Sequence, residues 1–147
     1  MAALGESLYE DLCKETGKPD CVPLLKDDPR ITSAKNYLDL SRFILDFAEK
    51  KAREGKKYML QIAKKHPTER IILCANSLYG STILAFEGAK GDLIKDPESA
   101  AYQARVAGDG PEKCAEAFKE ANIENPPINK FVALVSTIAY YVANHLH

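Results

Sequence analysis

The sequence contains no tryptophan, only three histidines and almost no net charge. A formal charge of -1 over 147 residues gives no global sign of binding to nucleic acid or to a membrane, and we expect neither partner. The most apolar run, residues 131–143, is too short to cross a bilayer and is predicted to be a buried helix. Residues 1–7 lack the apolar core of a signal peptide, so a secreted form would already have lost its signal.

Motifs of the common enzyme classes are also missing. The sequence has no GxSxG, HExxH, Walker or GxGxxG motif. Residues 108–111 read Gly-Asp-Gly-Pro, but the proline lies where a phosphate-binding loop needs backbone N–H groups, which favours a helix start. Because no set of titratable residues converges in the pattern, we expect a protein that is not an enzyme and needs no cofactor or metal.

The few histidines and the charged clusters do not point to a site either. His145 and His147 are two residues apart, so they do not converge on one helix face and would bind a metal only adventitiously. Two charged stripes are predicted to be solvated faces of helices. They are the basic cluster Lys50, Lys51, Arg53, Lys56 and Lys57 and the acidic series Glu112, Glu116 and Glu120.

Apolar residues recur at helical spacing along every long segment, and no alternating run of β-branched residues competes with this pattern. A first helix is predicted over about residues 6–16, and a short helical piece follows over residues 21–26. Thr32 or Ser33 is a suitable N-cap for a long helix that runs to about Lys65. Later helices are separated by proline-marked turns. These turns are residues 66–69, 96–98, 108–112 and 125–127.

The predicted inner faces of the three longest helices are apolar stripes. In the long helix the stripe is Tyr37, Leu40, Ile44, Phe47, Ala48, Ala52, Gly55, Met59 and Ile62. In the next helix it is Ile71, Cys74, Leu78, Thr82, Ala85, Phe86, Ala89 and Leu93. In the last helix it is Ile128, Phe131, Val135, Ile138, Val142 and Leu146. Glycine costs about 1 kcal/mol in a helix, so Gly55 predicts a closely packed neighbour, with a kink as the alternative.

Four helices of substantial length joined by short turns predict an all-α fold, an antiparallel four-helix bundle. The bundle would occupy residues 31–147, and an N-terminal helical hairpin over residues 1–30 would precede it within one structural domain.

The four cysteines allow two interpretations. Cys13 and Cys21 lie eight residues apart across a Gly-Pro turn, whereas Cys74 and Cys114 are forty apart at interior positions of their helices. The absence of a CxxC pair makes a Cys/His zinc site a poor fit. If the cysteines that are neighbours in sequence pair, the two disulfides would stabilise the folded protein by about 2.5 and about 4 kcal/mol. Disulfides would also imply that the protein passes through the secretory route. Free thiols in a cytosolic helical protein are the alternative.

Several short motifs together indicate a family. Residues 13–16 read Cys-Lys-Glu-Thr, with Pro19 and Cys21 after them, and residues 28–30 read Asp-Pro-Arg. The third cysteine lies in Leu-Cys-Ala with Tyr79 one turn later, and the fourth begins Cys-Ala-Glu-Ala-Phe at residues 114–118. Over nearly the whole chain, this pattern resembles the plant invertase and pectin methylesterase inhibitor family.

The resemblance implies a four-helix bundle with a preceding hairpin and disulfides Cys13–Cys21 and Cys74–Cys114. It also implies reversible binding that blocks either an acid invertase (β-fructofuranosidase) or a pectin methylesterase. Invertase inhibitors of this family typically carry Pro-Lys-Phe in the loop after the third cysteine's helix, and they insert it near acidic catalytic groups of the enzyme. The corresponding target-binding segment here is Asp96, Pro97, Glu98 and Ser99.

Two segments of the sequence give opposite indications of which enzyme is the target. Glu98 facing a carboxylate-lined site would meet repulsion, and Ser99 removes an aromatic anchor, which favours pectin methylesterase. Residues 127–130, Pro-Ile-Asn-Lys, are more similar to the invertase branch. We therefore expect a cell-wall or vacuolar invertase as the target and pectin methylesterase as the alternative. A structural, signalling or allergen-like role on the same fold is the third hypothesis.

The same resemblance implies a plant protein secreted to the apoplast or cell wall, or delivered to the vacuole. Because the N-terminal hairpin has little core of its own, its exchange between two chains would give a homodimer.

Overall fold

The computed structural model describes residues 7–147, and over that range the chain is helical and contains no strand. The helices are α1 (Leu8–Thr16), α2 (Cys21–Leu25), α3 (Pro29–Ser33), α4 (Tyr37–Lys65), α5 (Glu69–Leu73), α6 (Tyr79–Asp92), α7 (Pro97–Val106), α8 (Asp109–Glu120) and α9 (Pro127–Ala143). A π-helical turn, Cys74–Leu78, joins α5 to α6, and a 3-10 turn, Asn144–Leu146, follows α9. The all-α prediction is confirmed. The predicted start of the first helix at residue 6 lies outside the described residues.

A disulfide closes the first two helices into a hairpin. Ser7 and Glu10 form a capping box at the start of α1, in which the backbone N–H and the hydroxyl of Ser7 both donate to a carboxylate oxygen of Glu10. Gly17 ends α1 in the left-handed conformation, with φ of 65°, which glycine adopts without strain. The turn then brings Cys21 to Cys13, with their Cα atoms 5.5 Å apart, and they form a disulfide.

The long helix begins later than predicted, so Thr32 and Ser33 are wrong as its caps. Both lie in α3, where their hydroxyls donate to the carbonyl of Pro29. The Asp-Pro pair at the start of α3 is itself a cap followed by a first-turn proline, and this signal starts a separate short helix. Asn36 caps α4 instead, and its side chain accepts the backbone N–H of Asp39 at 2.8 Å.

Tyr79 occupies the space that Gly55 leaves on α4. A Cβ at position 55 would overlap Cε1 of the Tyr79 ring and would come within 2.8 Å of its Cζ. The predicted close packing at Gly55 is confirmed. The buried Tyr79 hydroxyl donates to Oδ1 of Asn129 on α9 at 2.6 Å, and the amide of Asn129 donates to Asn125 at 2.7 Å. Burial raises the pKa of Tyr79 above its ordinary value, which keeps the hydroxyl protonated as a donor.

The π-helical turn changes which residues are buried in the first half of α6. Leu78 and Ala85 were predicted to face inward, but both are only partly buried, and Tyr79 and Ile83 are buried in their place. A π-helical turn holds one more residue than an α-helical turn, so every later side chain rotates relative to the earlier ones. The predicted stripe is confirmed at Ile71, Cys74, Thr82, Phe86, Ala89 and Leu93, whereas Leu78 and Ala85 pack against the core but are only partly buried.

The Cys74–Cys114 disulfide ties the π-helical turn to α8. The two Cα atoms are 5.3 Å apart, and both side chains are fully buried. Each of the four cysteines is therefore in a disulfide, and the free-thiol alternative does not apply. The structure contains the same pairing that the family resemblance implies.

Helices α4, α6, α7 and α9 pack side by side, so that each of them contacts two of the others in a ring. Helix α4 packs against α6 and α9, and α7 packs against the same two helices. Helix α8 lies against α9 and the π-helical turn, α1 and α2 contact α9, and α3 contacts α4. The core lies between these helices and holds the largest fully buried side chains. They include Tyr79, Phe86, Phe118, Leu40, Ile44, Leu45, Met59 and Ile138.

The predicted stripe of the last helix is wrong at Phe131, which is 40% exposed. Asn129 faces inward because it accepts the Tyr79 hydroxyl. Residues three and seven positions later, Val132 and Ser136, therefore also face inward. Phe131 is left at the edge of the buried face.

The helical stretch Glu69–Asp92 is long and apolar enough to cross a membrane by length and composition alone, and 39% of its most apolar window is buried. A helix packed in a protein core meets the same criterion. In this structure the stretch packs on α4, α7 and α8.

Replacing Gly55 with alanine is expected to destabilise the protein by about 1–3 kcal/mol, the usual cost of overpacking a filled core. The added methyl group would meet a tyrosine ring that is itself held by a buried hydrogen bond. Gly91→Ala is the matched control, since a Cβ there meets nothing within 4 Å and alanine favours a helix. Urea unfolding of both variants measures the difference, and equal effects would contradict this account.

Candidate functional site

The predicted target-binding segment forms the start of α7. Asp96 is the N-cap, and its side chain accepts the backbone N–H of Ser99 at 3.1 Å. Pro97 is the first helical residue, where its missing N–H leaves no hydrogen bond unmade. Glu98 lies in the first turn, where a carboxylate is favoured by the helix dipole. The proline-marked boundary predicted at residues 96–98 is therefore the start of a helix.

A small hydrogen-bond network fixes this segment to the end of α6. The carboxylate of Asp92 accepts the Ser99 hydroxyl at 3.1 Å and the Gln103 amide at 2.6 Å. The Gln103 amide also contacts the Ser99 hydroxyl at 3.1 Å. Gln103 lies against Gly88, where a Cβ would overlap its Oε1 atom. The network therefore depends on a close approach of α7 to α6.

The four predicted site residues divide into two roles. Asp96 and Ser99 hold the turn together, so their polar groups are already bonded within the protein. Pro97 is half-buried, and Glu98 is exposed.

Two exposed apolar side chains flank the segment, and neither is among the site residues predicted from the sequence. Ile94 precedes it and is 66% exposed, and Tyr102 follows it and is 64% exposed. The available signal was helical spacing, because Tyr102 is four residues after Glu98 and lies on the same face of α7. We call Ile94, Glu98 and Tyr102 the α7 edge. It offers one carboxylate, one aliphatic and one aromatic group for contact with another surface.

A charged cluster lies on the neighbouring surface between α4 and α6. The ammonium of Lys90 contacts Asp46 at 2.8 Å and Glu49 at 3.3 Å, and Arg53 contacts Glu49 at 3.0 Å and Glu87 at 3.1 Å. Hydrogen bonding to Asp46 raises the pKa of Lys90, against partial burial, which lowers it. Burial raises the pKa of Glu49, but the hydrogen bonds from Arg53 and Lys90 outweigh it and lower the pKa overall. The two cations and three carboxylates of this cluster are thus paired with one another beside a shallow depression.

The basic cluster of α4 lies on its solvent side, and part of it is paired. Lys51 contacts Glu54 at 3.4 Å, and Lys56 donates to the carbonyl of Asn76 at 3.1 Å. The acidic series of α8 is exposed, and Glu120 pairs with Arg70. Both stripes are solvated helix faces, as predicted.

The terminal histidines do not converge. His145 contacts Glu15, and His147 contacts Asn144. Over residues 7–147, no group of three or more His, Cys, Asp or Glu side chains is arranged to hold a metal ion.

Removing the Asp92 carboxylate by Asp92→Ala is expected to destabilise the protein by about 1–2 kcal/mol, because Ser99 and Gln103 both lose their acceptor. Glu98→Ala is the matched control in the same segment, and its effect should stay within about 0.5 kcal/mol, as for other surface positions. Thermal unfolding followed by circular dichroism measures both. If Glu98→Ala costs as much as Asp92→Ala, the network does not hold the segment.

Comparisons with known proteins do not identify a family for this chain. A scan against models of protein families finds no match to the chain, and a search of curated proteins also finds none.

Proposed function

We propose that the chain is a member of the plant invertase and pectin methylesterase inhibitor family, and that it binds and blocks an acid invertase. In this proposal the protein acts by binding and performs no catalysis. The observation that carries it is the pairing of cysteine one with two and three with four in an all-helical chain. The sequence motifs around Cys13, Cys74 and Cys114, on which the family resemblance is based, support the same proposal.

The proposed architecture is an antiparallel four-helix bundle preceded by a hairpin. Its members would be α4, the α5–α6 stretch, α7 together with α8, and α9, and the hairpin would be α1 and α2. The support is that α4 and α7 each pack against both α6 and α9. In a four-helix bundle, each helix packs in the same way against its two neighbours around a shared core.

The α7 edge is the proposed contact with the target enzyme. It stands at the start of a capped helix whose position is fixed by Asp92 and Gln103, so little conformational entropy would be lost on binding. Tyr102 supplies the exposed aromatic group that the sequence lacks at Ser99, and aromatic groups are frequent anchors of interfaces.

Pectin methylesterase is the second candidate target, and Glu98 is the observation that favours it. Its carboxylate is exposed at the point where an invertase inhibitor of this family would present a lysine. Beside a carboxylate-lined invertase site it would be repelled, whereas a target surface with positive charge would attract it.

Two disulfides are compatible with an extracellular protein. The proposed location is the plant apoplast or cell wall, with the vacuole as the alternative. Exchange of the α1–α2 hairpin between two chains is the proposed route to a homodimer.

A parallel inhibition assay tests the proposal. The protein should lower sucrose hydrolysis by a plant cell-wall or vacuolar invertase at mildly acidic pH and leave methanol release from pectin by pectin methylesterase unchanged. Glu98→Lys should strengthen invertase inhibition by about threefold to fivefold, the effect of one exposed charge pair. Tyr102→Ala should weaken it.

Glu116→Lys is the matched control, because it makes the same charge change on an exposed face of α8. It should leave inhibition unchanged. Inhibition of pectin methylesterase alone would move the assignment to the second candidate. If the folded, oxidised protein inhibits neither enzyme, the proposed function is wrong and a non-inhibitory role on this fold takes its place.

A further inference from the structure

A cavity of about 320 Å³ lies between the C-terminal half of α4 and the loop that joins α8 to α9. One wall comes from α4 and includes Tyr58 and Ile62, and the other comes from residues 123–127, which span the loop and the start of α9. Ligand sites in proteins occupy about 300–1,000 Å³, so this space suits a small molecule of one ring.

The loop side of the cavity has a fixed shape. Asn122, just after α8, adopts the left-handed conformation with φ of 57°, which asparagine accepts more readily than most residues. The backbone N–H of Ile123 donates to the carbonyl of Phe118 at 2.9 Å, and Ile123 packs against the core. Pro126 and Pro127 follow, and their rings restrict the backbone. A ligand would therefore meet a preformed surface, and little free energy would be lost in ordering the loop.

A chain of hydrogen bonds from the core sets the orientation of Asn125, which lines the cavity. The Tyr79 hydroxyl donates to Oδ1 of Asn129, and the amide nitrogen of Asn129 donates to Oδ1 of Asn125 at 2.7 Å. The Asn125 oxygen is thus used as an acceptor, while its amide N–H groups have no partner among residues 7–147. This side chain is therefore held as a hydrogen-bond donor that is available to a bound molecule.

Three more polar side chains around the cavity have unused hydrogen-bonding groups. Lys65, His66 and Glu124 all line it, and within residues 7–147 none of them makes an ion pair or a side-chain hydrogen bond. Because Lys65 and Glu124 have opposite charges, together they favour neither an anion nor a cation. They offer donors and an acceptor to a ligand without charge.

Apolar groups supply the rest of the surface. Tyr58 is 49% exposed, and Ile62, Ile123 and Pro126 also line the cavity. An exposed aromatic ring offers a flat apolar face next to its polar hydroxyl. A sugar ring matches this combination, because it has C–H groups on its faces and hydroxyl groups around its rim. Each of those hydroxyls both donates and accepts hydrogen bonds.

We propose that this cavity binds a neutral saccharide through one sugar ring. The ring stacks on Tyr58, the Asn125 amide and the Lys65 ammonium donate to its hydroxyl oxygens, and Glu124 accepts from a hydroxyl. The cavity shares no residue with the α7 edge, so this inference does not depend on which enzyme, if any, the protein inhibits. A ligand of this size is expected to bind with a dissociation constant on the order of 1 mM.

Titrations of the intact, oxidised protein followed by NMR of its backbone amides test the site. Glucose, galactose, fructose and sucrose are the neutral probes, and glucuronate and glucosamine are the charged comparisons. At least one neutral sugar should shift the signals of residues 58–66 and 122–125 in a saturable way. The charged sugars should bind more weakly than that neutral sugar.

Two substitutions with matched controls locate the binding. Asn125→Asp keeps an acceptor for the Asn129 amide but removes the donor, and it should weaken binding by about threefold to tenfold. Asn122→Asp makes the same charge change at a position that does not line the cavity, and it should leave binding unchanged. Tyr58→Leu should weaken binding by a similar factor. Tyr102→Leu removes an exposed ring from α7 and should have no effect on sugar binding.

The proposal is overturned if no neutral sugar gives saturable shifts at concentrations well above the expected constant. It is also overturned if glucuronate or glucosamine binds more tightly than every neutral sugar, or if Asn125→Asp and Tyr58→Leu bind as tightly as the native protein. Unchanged signals from the buried part of α9 show that each variant is still folded.

Discussion

The Tyr79 hydroxyl is buried between helices and has one partner, the side chain of Asn129. A buried hydroxyl without a partner costs about 1–3 kcal/mol, so the position of Tyr79 fixes the rotation of α9 about its own axis. The ring imposes a second constraint, because it fits only where α4 has no Cβ, at Gly55. One side chain of α6 thus determines how α4 and α9 approach each other.

The candidate site depends on the same constraint through α6. Tyr79 begins α6, and the π-helical turn before it is tied to α8 by the Cys74–Cys114 disulfide. The other end of α6 carries Asp92, which orders the start of α7, and Gly88, which allows Gln103 to lie close. The direction in which Glu98 and the rest of the α7 edge face solvent is therefore set by packing at the opposite end of α6.

The features of the fold that depend on residues close in sequence were predictable from local sequence signals. The all-helical class follows from spacing, the start of α7 follows from Asp96 and Pro97, and the close approach at Gly55 follows from the cost of glycine in a helix. The start of α4 was misplaced because two cap signals compete there, and the helix at Pro29 takes Thr32 and Ser33.

Features that depend on contacts between helices were not predictable from spacing. A π-helical turn leaves no local signal in the residues 74–78, so the inward positions of Tyr79 and Ile83 were missed. The exposure of Phe131 follows from the inward position of Asn129, which is set by a residue fifty positions earlier. For the same reason the sequence indicated Asp96 and Ser99 but not Asp92 and Gln103, whose side chains bond to Ser99.

A double-mutant cycle between Tyr79 and Asn129 tests the central constraint most directly. Unfolding free energies would be measured for Tyr79→Phe, Asn129→Ala and the double variant. Because each single change leaves the other polar group buried without its partner, the account predicts a coupling energy of about 1–2 kcal/mol, with the double variant less destabilised than the sum of the singles. Additive effects, with no coupling beyond error, would contradict it.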